Sequence, residues 1–236
     1  MRRVNEPLVA KGQEAGPTPV SRAPRRPLAS RAVKRTMDLV VGGLALLVLL
    51  PVFLLIWLAI RLTSRGPSLI RQERLGRERT PFLMFKFRTM RQDADDAVHR
   101  AYVASMFNGQ ARPHNGETGL YKLVHDARVT AVGRFLRRAS LDELPQLINV
   151  VLGQMSLVGP RPILPWEQDL LGPDDMIRFD VLPGITGLWQ VSGRNALTMP
   201  QALKIDAEYV RRQSFRLDVT ILLKTIPLMI SGRGAG

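Results

Sequence analysis

The sequence contains no cysteine, and its three histidines lie far apart along the chain. Without cysteine there is no disulfide bond and no thiolate metal site. His99, His114 and His125 also lack the spacing by which histidines bind zinc. These absences fit a protein that faces the reducing cytosol, and they argue against a zinc domain.

Negative charge is scarce relative to positive charge. The chain has 34 lysines and arginines against 20 acidic residues, which leaves a formal charge of +14. Such an excess attracts polyanions: nucleic acid, an anionic membrane surface or a phosphorylated substrate. The length of 236 residues and the hydrophobic content of 45% allow one modest domain with a core and appendages.

The N-terminal 30 residues are rich in proline, arginine, alanine and serine and lack hydrophobic periodicity. This composition predicts a disordered basic tail over 1–30. A secretory signal fits poorly, because the apolar run that follows begins too late and is too long.

The one long apolar run covers 39–60 and holds no charged residue. As a helix it is ~33 Å long, enough to cross a bilayer core, so length alone predicts a straight spanning helix. Two features favour a re-entrant segment over 31–65 instead. Pro51 near the middle bends a helix, and the flanks 19–38 and 61–80 each carry six basic residues, whereas a spanning helix keeps its positive charge on one side.

The remaining chain, 66–236, predicts a mixed α/β, mainly helical domain. Two short apolar pieces, 68–71 and 81–87, predict a small β-hairpin. The stretch 91–125 is mostly polar and predicts a variable insertion without evident chemistry.

Three later stretches predict helices: 142–152 ending at Gly153, 199–212, and 217–230. The last has a mainly apolar face but only 14 residues, too few to span a bilayer. It therefore predicts an interfacial or docked helix.

Two adjacent carboxylates, Asp142 and Glu143, are the candidate chemical groups. Ser140 and Glu143 have the spacing of a capping box, which is a purely structural alternative. Pro145 favours a helix that starts near Asp142, since its missing N–H is harmless only in the first turn. The Asp142 carboxylate would then lie at the positive end of the helix dipole and could act as a nucleophile or hold Mg²⁺.

Several cations are candidate anion binders. Arg161 lies between two prolines, Arg194 ends the second glycine-rich stretch, Arg137 precedes the carboxylate pair, and Lys86 and Arg88 close the predicted hairpin. Taken singly, each is better explained as a solvated surface charge. Arginine forks and the exposed N–H groups of glycine loops nevertheless suit phosphate oxygens.

The order of these motifs resembles the bacterial monotopic phosphoglycosyl transferases, also called polyprenyl-phosphate sugar-1-phosphate transferases. The resemblance covers about 33–236 and largely spares the insertion. The matching stretches are KRTMD at 34–38, RQERLG at 71–76, KFRTM at 86–90, RVT at 128–130, GRFLR at 133–137, SLDELPQL at 140–147, MSLVGPRP at 155–162 and PGITGLWQVSGR at 183–194.

The resemblance implies an enzyme that transfers a sugar-1-phosphate from a UDP-sugar to a polyprenyl (undecaprenyl) phosphate and releases UMP. It implies Mg²⁺ as cofactor and a place at the cytoplasmic face of the bacterial inner membrane. The expected product begins a surface polysaccharide or glycoconjugate. The partners implied are the bilayer and, further along the synthesis, downstream glycosyltransferases, with no role for nucleic acid.

The resemblance also implies residue roles. Asp142 would attack the sugar-bearing phosphorus to give a covalent aspartyl phosphosugar, would contact Mg²⁺, and would be assisted by Glu143. Lys86 and Asp218 match positions associated with activity. The phosphate or nucleotide contacts implied are Arg88, Arg137, Arg161 and Arg194.

One departure concerns the membrane segment, where family members often have Ser-Pro and this chain has Leu50-Pro51. The chain also resembles the minimal catalytic form of the family. Other classes remain as alternatives: a nucleic-acid-binding protein because of the charge, a non-catalytic membrane scaffold, or a metal-dependent phosphatase. The donor sugar and the oligomeric state stay open.

Overall fold

The computed structural model describes residues 27–91, 97–107, 128–193 and 197–231. Most of the predicted tail and most of the predicted insertion lie outside these ranges. The helices are α1 Leu28–Thr63, α2 Ala97–Phe107, α3 Ala131–Arg138, α4 Gln146–Leu152, α5 Leu188–Val191, α6 Met199–Arg212 and α7 Phe215–Ser231. The strands are β1 Leu69–Leu75, β2 Pro81–Phe87, β3 Ser156–Val158 and β4 Gly184–Thr186. The prediction of a mainly helical α/β fold with a small hairpin is confirmed.

The predicted hairpin is formed by β1 and β2, which pair antiparallel from Leu69 opposite Phe87 to Leu75 opposite Pro81. The first strand is longer than the predicted 68–71. Glu78 and Arg79 at its turn both have positive φ, 56° and 61°. These angles belong to the type I′ turn, whose twist matches that of paired strands, although such turns usually carry Asn-Gly.

The core surrounds a short parallel pair, β3 and β4, with Ser156 opposite Gly184 and Val158 opposite Thr186. All three residues of β3 are buried. Side chains from α4, α6 and α7 pack around it, including Val150, Tyr209 and Ile221. Since β3 leads directly into the stretch that carries Arg161, this core fixes the base of that stretch.

Helix α1 contains the whole apolar run and is one uninterrupted element with Pro51 inside it. The predicted bend at Pro51 and the re-entrant course stay predictions; a proline removes one backbone hydrogen bond, and the helix can continue on both sides. By length and composition alone, α1 could cross a membrane. Only 11% of its most apolar 18-residue window is buried in the structure. It is therefore not the core helix of a soluble protein.

One face of α1 contacts the domain along most of its length. Asp38 and Gly42 are buried near its start, and Ile56 and Ile60 are buried near its end. The opposite face is apolar and exposed, with Leu39, Val40, Val41, Leu44, Leu47, Val48, Leu50, Leu54, Leu55, Trp57, Leu58 and Leu62. This exposed face indicates association with a membrane.

Two other predicted segments are only partly as expected. Helix α7 is longer than 217–230, and it buries Asp218 and Ile221 while exposing Leu223 and Ile226. Its interfacial position remains a prediction. Helix α2 lies in the predicted polar insertion, yet its Val103 and Met106 are buried in a cluster with α6. This part of the insertion is therefore integrated into the domain.

Candidate active site

The carboxylate pair lies in a single 3-10 turn, Leu141–Glu143, and α4 begins only at Gln146. The prediction that Asp142 caps a helix is wrong, because Pro145 takes the position just before α4. The capping-box alternative is also wrong. Ser140 has a positive φ of 55°, and its side chain makes no capping hydrogen bond. Neither carboxylate therefore has a role in starting the helix.

Asp142 is 1% exposed. Among the described residues neither of its carboxylate oxygens accepts a hydrogen bond. Lys86 on β2 is beside it, with Nζ 3.4 Å from Oδ2 of Asp142. A buried carboxylate with free lone pairs beside one cation is unusual, because buried polar groups are normally hydrogen-bonded.

Glu143 is held differently. Arg161 donates from Nη1 to its Oε1 at 3.2 Å, and Lys86 Nζ lies 4.0 Å from the same oxygen. The structure thus brings together four of the predicted residues, Lys86, Asp142, Glu143 and Arg161. Two carboxylates and two cations from three separate segments meet at one place.

In the two glycine-rich stretches, the N–H groups of Gly159 and Gly184 donate within the protein. Gly159 N–H donates to the carbonyl of Thr186, and Gly184 N–H donates to the carbonyl of Pro160. These donors are satisfied within the protein and do not point at a ligand. A Cβ on Gly184 would lie 2.0 Å from the Gly159 nitrogen, so glycine here permits two backbones to approach closely.

Arg88 lies apart from the four. Its Nη2 donates to the carbonyl and the hydroxyl of Ser64 at 3.0 and 2.8 Å. Burial and the charge of Arg61 lower the pKa of the Arg88 guanidinium. In this structure Arg88 ties the end of β2 to the end of α1.

Asp218 forms a second polar cluster. It is fully buried and accepts hydrogen bonds from Lys34 Nζ and from the hydroxyl of Tyr209, both at 2.8 Å. Lys34 and Tyr209 also donate to the carbonyl of Val158. Asp218 therefore links α1, α6 and α7 to the end of β3 in this structure.

Of the other predicted residues, Arg137 lies in the last turn of α3 and is partly buried. Arg194 lies outside the described residues. Sequence reasoning assigned no role to Lys34 or Tyr209: Lys34 begins the matching stretch KRTMD at 34–38, but no pattern indicated chemistry at either residue. The same holds for the buried Arg178, which donates to the Arg161 carbonyl at 2.8 Å.

The site also bears on the expected Mg²⁺. No group of three or more metal-ligating side chains occurs among the residues that the structure describes. Mg²⁺ is commonly held by one or two carboxylates together with substrate phosphates. The two unbonded oxygens of Asp142, with Glu143 next to it, fit that kind of site.

Residues 29–232 match the sequence profile of a family described as bacterial sugar transferase. The chain belongs to the bacterial sugar transferase family. The matched range includes α1, the hairpin and the cluster of Lys86, Asp142, Glu143 and Arg161.

Curated relatives of this sugar transferase agree with the assignment. The chain is 37% identical over 210 residues to exopolysaccharide production protein ExoY of Rhizobium meliloti (strain 1021), covering 89% of this chain and 90% of that protein. It is 39% identical over 208 residues to UDP-glucose:undecaprenyl-phosphate glucose-1-phosphate transferase of Caulobacter vibrioides, covering 84% and 70%. It is 37% identical over 206 residues to undecaprenyl-phosphate galactose phosphotransferase of Salmonella typhimurium, covering 87% of this chain but 42% of that protein. The predicted family and the predicted enzyme class, a phosphoglycosyl transferase, are confirmed.

Proposed function

We propose that this sugar transferase moves a sugar-1-phosphate from a UDP-sugar to undecaprenyl phosphate and releases UMP, beginning a surface polysaccharide or glycoconjugate. The names of the Caulobacter and Salmonella relatives support this donor and acceptor. The observation that carries the proposal is Asp142: buried, free of hydrogen bonds and 3.4 Å from the Lys86 ammonium. Such a group can attack a phosphorus atom.

In the first step a carboxylate oxygen of Asp142 attacks the phosphorus that carries the sugar. A new bond forms between that oxygen and phosphorus, while the bond to the bridging oxygen breaks and UMP leaves with the electron pair. In the second step an oxygen of the lipid phosphate attacks the same phosphorus and releases Asp142 unchanged. A covalent intermediate divides one difficult transfer into two easier ones.

The neighbouring cationic side chains offset the negative charge of the carboxylates and of the donor pyrophosphate. A carboxylate that approaches a pyrophosphate meets strong repulsion, which cations at the site reduce. Lys86 offsets part of the negative charge of the carboxylate pair. Arg161 pairs with Glu143 in this structure, and its planar fork suits two phosphate oxygens of the donor.

Asp142 and Glu143 would hold Mg²⁺ when it is bound. The ion would supply charge neutralisation at the pyrophosphate. Arg137, Arg88 and Arg194 stay as proposed phosphate or nucleotide contacts, and Asp218 as a proposed contributor to activity. The carboxylate pair itself remains the centre of the proposal.

We further propose that α1 is re-entrant and that both its ends lie in the cytoplasm with the catalytic domain. Asp38 near the start of α1 and Ile60 near its end are both buried against that domain, and both flanks are equally basic. Because the chain has no cysteine, Ala29→Cys and Pro67→Cys provide unique labels. An impermeant maleimide added to intact spheroplasts should label neither variant, and labelling of just one would indicate a spanning helix.

The function itself is tested by incubating purified protein with Mg²⁺, undecaprenyl phosphate and a panel of UDP-sugars. We expect UMP release with at least one donor and none from Asp142→Asn. Lack of UMP with every donor, or full activity of Asp142→Asn, would rule the proposal out. The panel also identifies the donor sugar.

A further inference from the structure

The stretch that carries Arg161, residues 159–164, is held at several points by buried side chains; we refer to it as the Arg161 loop. Arg178 donates to the carbonyl of Arg161 at 2.8 Å. Arg74 donates to the carbonyl of Pro162 at 3.1 Å. Glu167 accepts from the N–H of Leu164 at 2.8 Å. The loop therefore depends on side chains as well as on backbone pairing.

The Arg178 contact reaches the residue that faces the carboxylate pair. The backbone carbonyl of Arg161 accepts from Arg178, while the guanidinium of Arg161 donates to Glu143. A shift of the Arg161 backbone would therefore move its guanidinium relative to Glu143.

Asp206 on α6 orients Arg178 in turn. The same Nη2 atom that donates to the Arg161 carbonyl also donates to Oδ2 of Asp206 at 3.2 Å. Both side chains of this pair are almost completely buried. Burial raises the pKa of Asp206 to about 7, although Arg178 and Arg161 lower it and Asp175 raises it further.

A buried ion pair of this kind is weak evidence for stability. Desolvation of the two charges offsets most of their attraction, and apolar residues of similar volume often stabilise a fold equally well. The pair does fix a direction, because the Nη2 that donates to Asp206 also donates to the Arg161 carbonyl, while Nη1 has no hydrogen-bond partner among the described residues. Positioning of the Arg161 loop is the role that its contacts indicate.

We propose that Arg178 and Asp206 are positioning residues that hold Arg161 in place for the donor pyrophosphate. The proposal rests on the transferase function proposed above and adds two residues to it. Small displacements of an aligned group can lower a rate by as much as about 100-fold. We call the contacts of Arg178 with Asp206 and with the Arg161 carbonyl the clamp. Its loss should therefore lower kcat/KM by displacing Arg161 and not by weakening the fold as a whole.

A double-mutant cycle tests this coupling. Arg178→Lys keeps the positive charge opposite Asp206 but replaces the planar guanidinium, whose Nη2 makes both contacts, by the ammonium of a shorter side chain. With radiolabelled UDP-sugar, we expect it to lower kcat/KM about 10-fold when Arg161 is present and less than about 2-fold in an Arg161→Ala background. Equal losses in the two backgrounds would overturn the proposal, since a general structural defect acts whether or not Arg161 is there.

The matched control is Arg212→Lys. Arg212 pairs with Glu208 on the same helix α6, but both side chains are exposed, so kcat/KM should stay within about 2-fold of wild type. Asp206→Asn, which is isosteric, should give a smaller loss than Arg178→Lys with the same dependence on Arg161. A loss in Asp206→Asn that persists without Arg161 would contradict the clamp.

Hydrogen exchange gives a readout that needs no activity. Peptides covering 159–164 should exchange faster in Arg178→Lys than in wild type or Arg212→Lys, because the clamp on the loop is loosened. Unchanged exchange would overturn the proposal even if activity fell. If the wild-type protein released no UMP from any donor, the proposed function would fail, while hydrogen exchange would still test the clamp.

Discussion

At the scale of single residues, the two adjacent carboxylates have different surroundings. Glu143 is engaged by Arg161 at 3.2 Å, whereas neither oxygen of Asp142 accepts a hydrogen bond within the described residues. A nucleophile needs free lone pairs, and a positioned acid or metal ligand tolerates partners. This difference favours Asp142 as the nucleophile and Glu143 as a positioned acid or metal ligand, a distinction that sequence spacing alone did not provide.

Lys86 is the first residue to test. Its ammonium lies 3.4 Å from Asp142 and 4.0 Å from Glu143, so its loss leaves the buried Asp142 and the partly buried Glu143 without the cation that they share. We expect Lys86→Met to lower kcat/KM about 100-fold. Lys224→Met, which removes an exposed lysine on α7, is the control and should remain close to wild type. Wild-type UMP release from Lys86→Met would contradict the assigned role.

Two buried acids contribute stability that declines as pH rises, because the folded protein raises the pKa of each and holds its proton. Burial raises the pKa of Asp206 from 3.8 to about 7 and raises that of Glu167 as well. Between about pH 4 and pH 7 the folded state therefore binds a proton that the unfolded state has released, and the free energy of unfolding falls. The groups facing Asp206 are Arg178, Arg161 and Asp175.

Thermal unfolding in detergent from pH 5 to pH 8 measures this effect. The melting temperature should fall less steeply with pH in Asp206→Asn than in wild type. Glu208→Gln, on the exposed side of the same helix, should keep the wild-type slope. Identical slopes for Asp206→Asn and wild type would show that Asp206 does not titrate in this range.

At the scale of elements, the helix ends that depend on neighbouring residues were predicted best. Helix α6 starts and ends as predicted at 199 and 212, with Thr198 and Gln201 forming a capping box. Helix α4 ends at Gly153, whose φ is 82°. Its start was placed too early because Pro145 can occupy the position before a helix as well as one inside its first turn.

The parallel pair β3 and β4 could not be predicted in the same way. Each strand has three residues, too few to show the alternating hydrophobic pattern of a strand. Their pairing joins segments about 28 residues apart, with Ser156 opposite Gly184. The burial of α2 could not be predicted for a similar reason, since it depends on α6, which comes about 100 residues later in the chain.

Glycine substitutions test the close approach at this pair. A Cβ on Gly184 would lie 2.0 Å from the Gly159 nitrogen, whereas one on Gly43 would meet nothing within 4 Å. We expect Gly184→Ala to lower the free energy of unfolding by at least ~2 kcal/mol. Gly43→Ala should be neutral or slightly stabilising. Equal melting temperatures for the two variants would contradict the backbone packing described for this pair.

At the scale of the whole molecule, α1 is joined to the catalytic domain and is not a detached anchor. Lys34 on α1 pairs with the buried Asp218 on α7 at 2.8 Å, and both Lys34 and Tyr209 donate to the carbonyl that ends β3. The apolar run predicted a membrane segment from composition. It could not predict which face of that segment packs on the domain, because that depends on residues distant in sequence.

This junction gives a further prediction. Lys34→Met leaves Asp218 buried without its cation, and Asp218→Asn leaves Lys34 without its anion; each should lower stability by ~3 kcal/mol or more. The double variant should lose less than the sum of the two single losses. Thermal unfolding in detergent measures all three. Additive losses would show that the two side chains do not stabilise each other across this junction.

The central claim is that Asp142 becomes covalently linked to the sugar phosphate. The most direct measurement is to mix the protein with Mg²⁺ and a UDP-sugar radiolabelled in the sugar, without lipid acceptor, and to map the label by peptide mass spectrometry. The account predicts a phosphosugar adduct on Asp142 that disappears when undecaprenyl phosphate is added, and no adduct in Asp142→Asn. A label on another residue, or product formed at the full rate by Asp142→Asn, would contradict it.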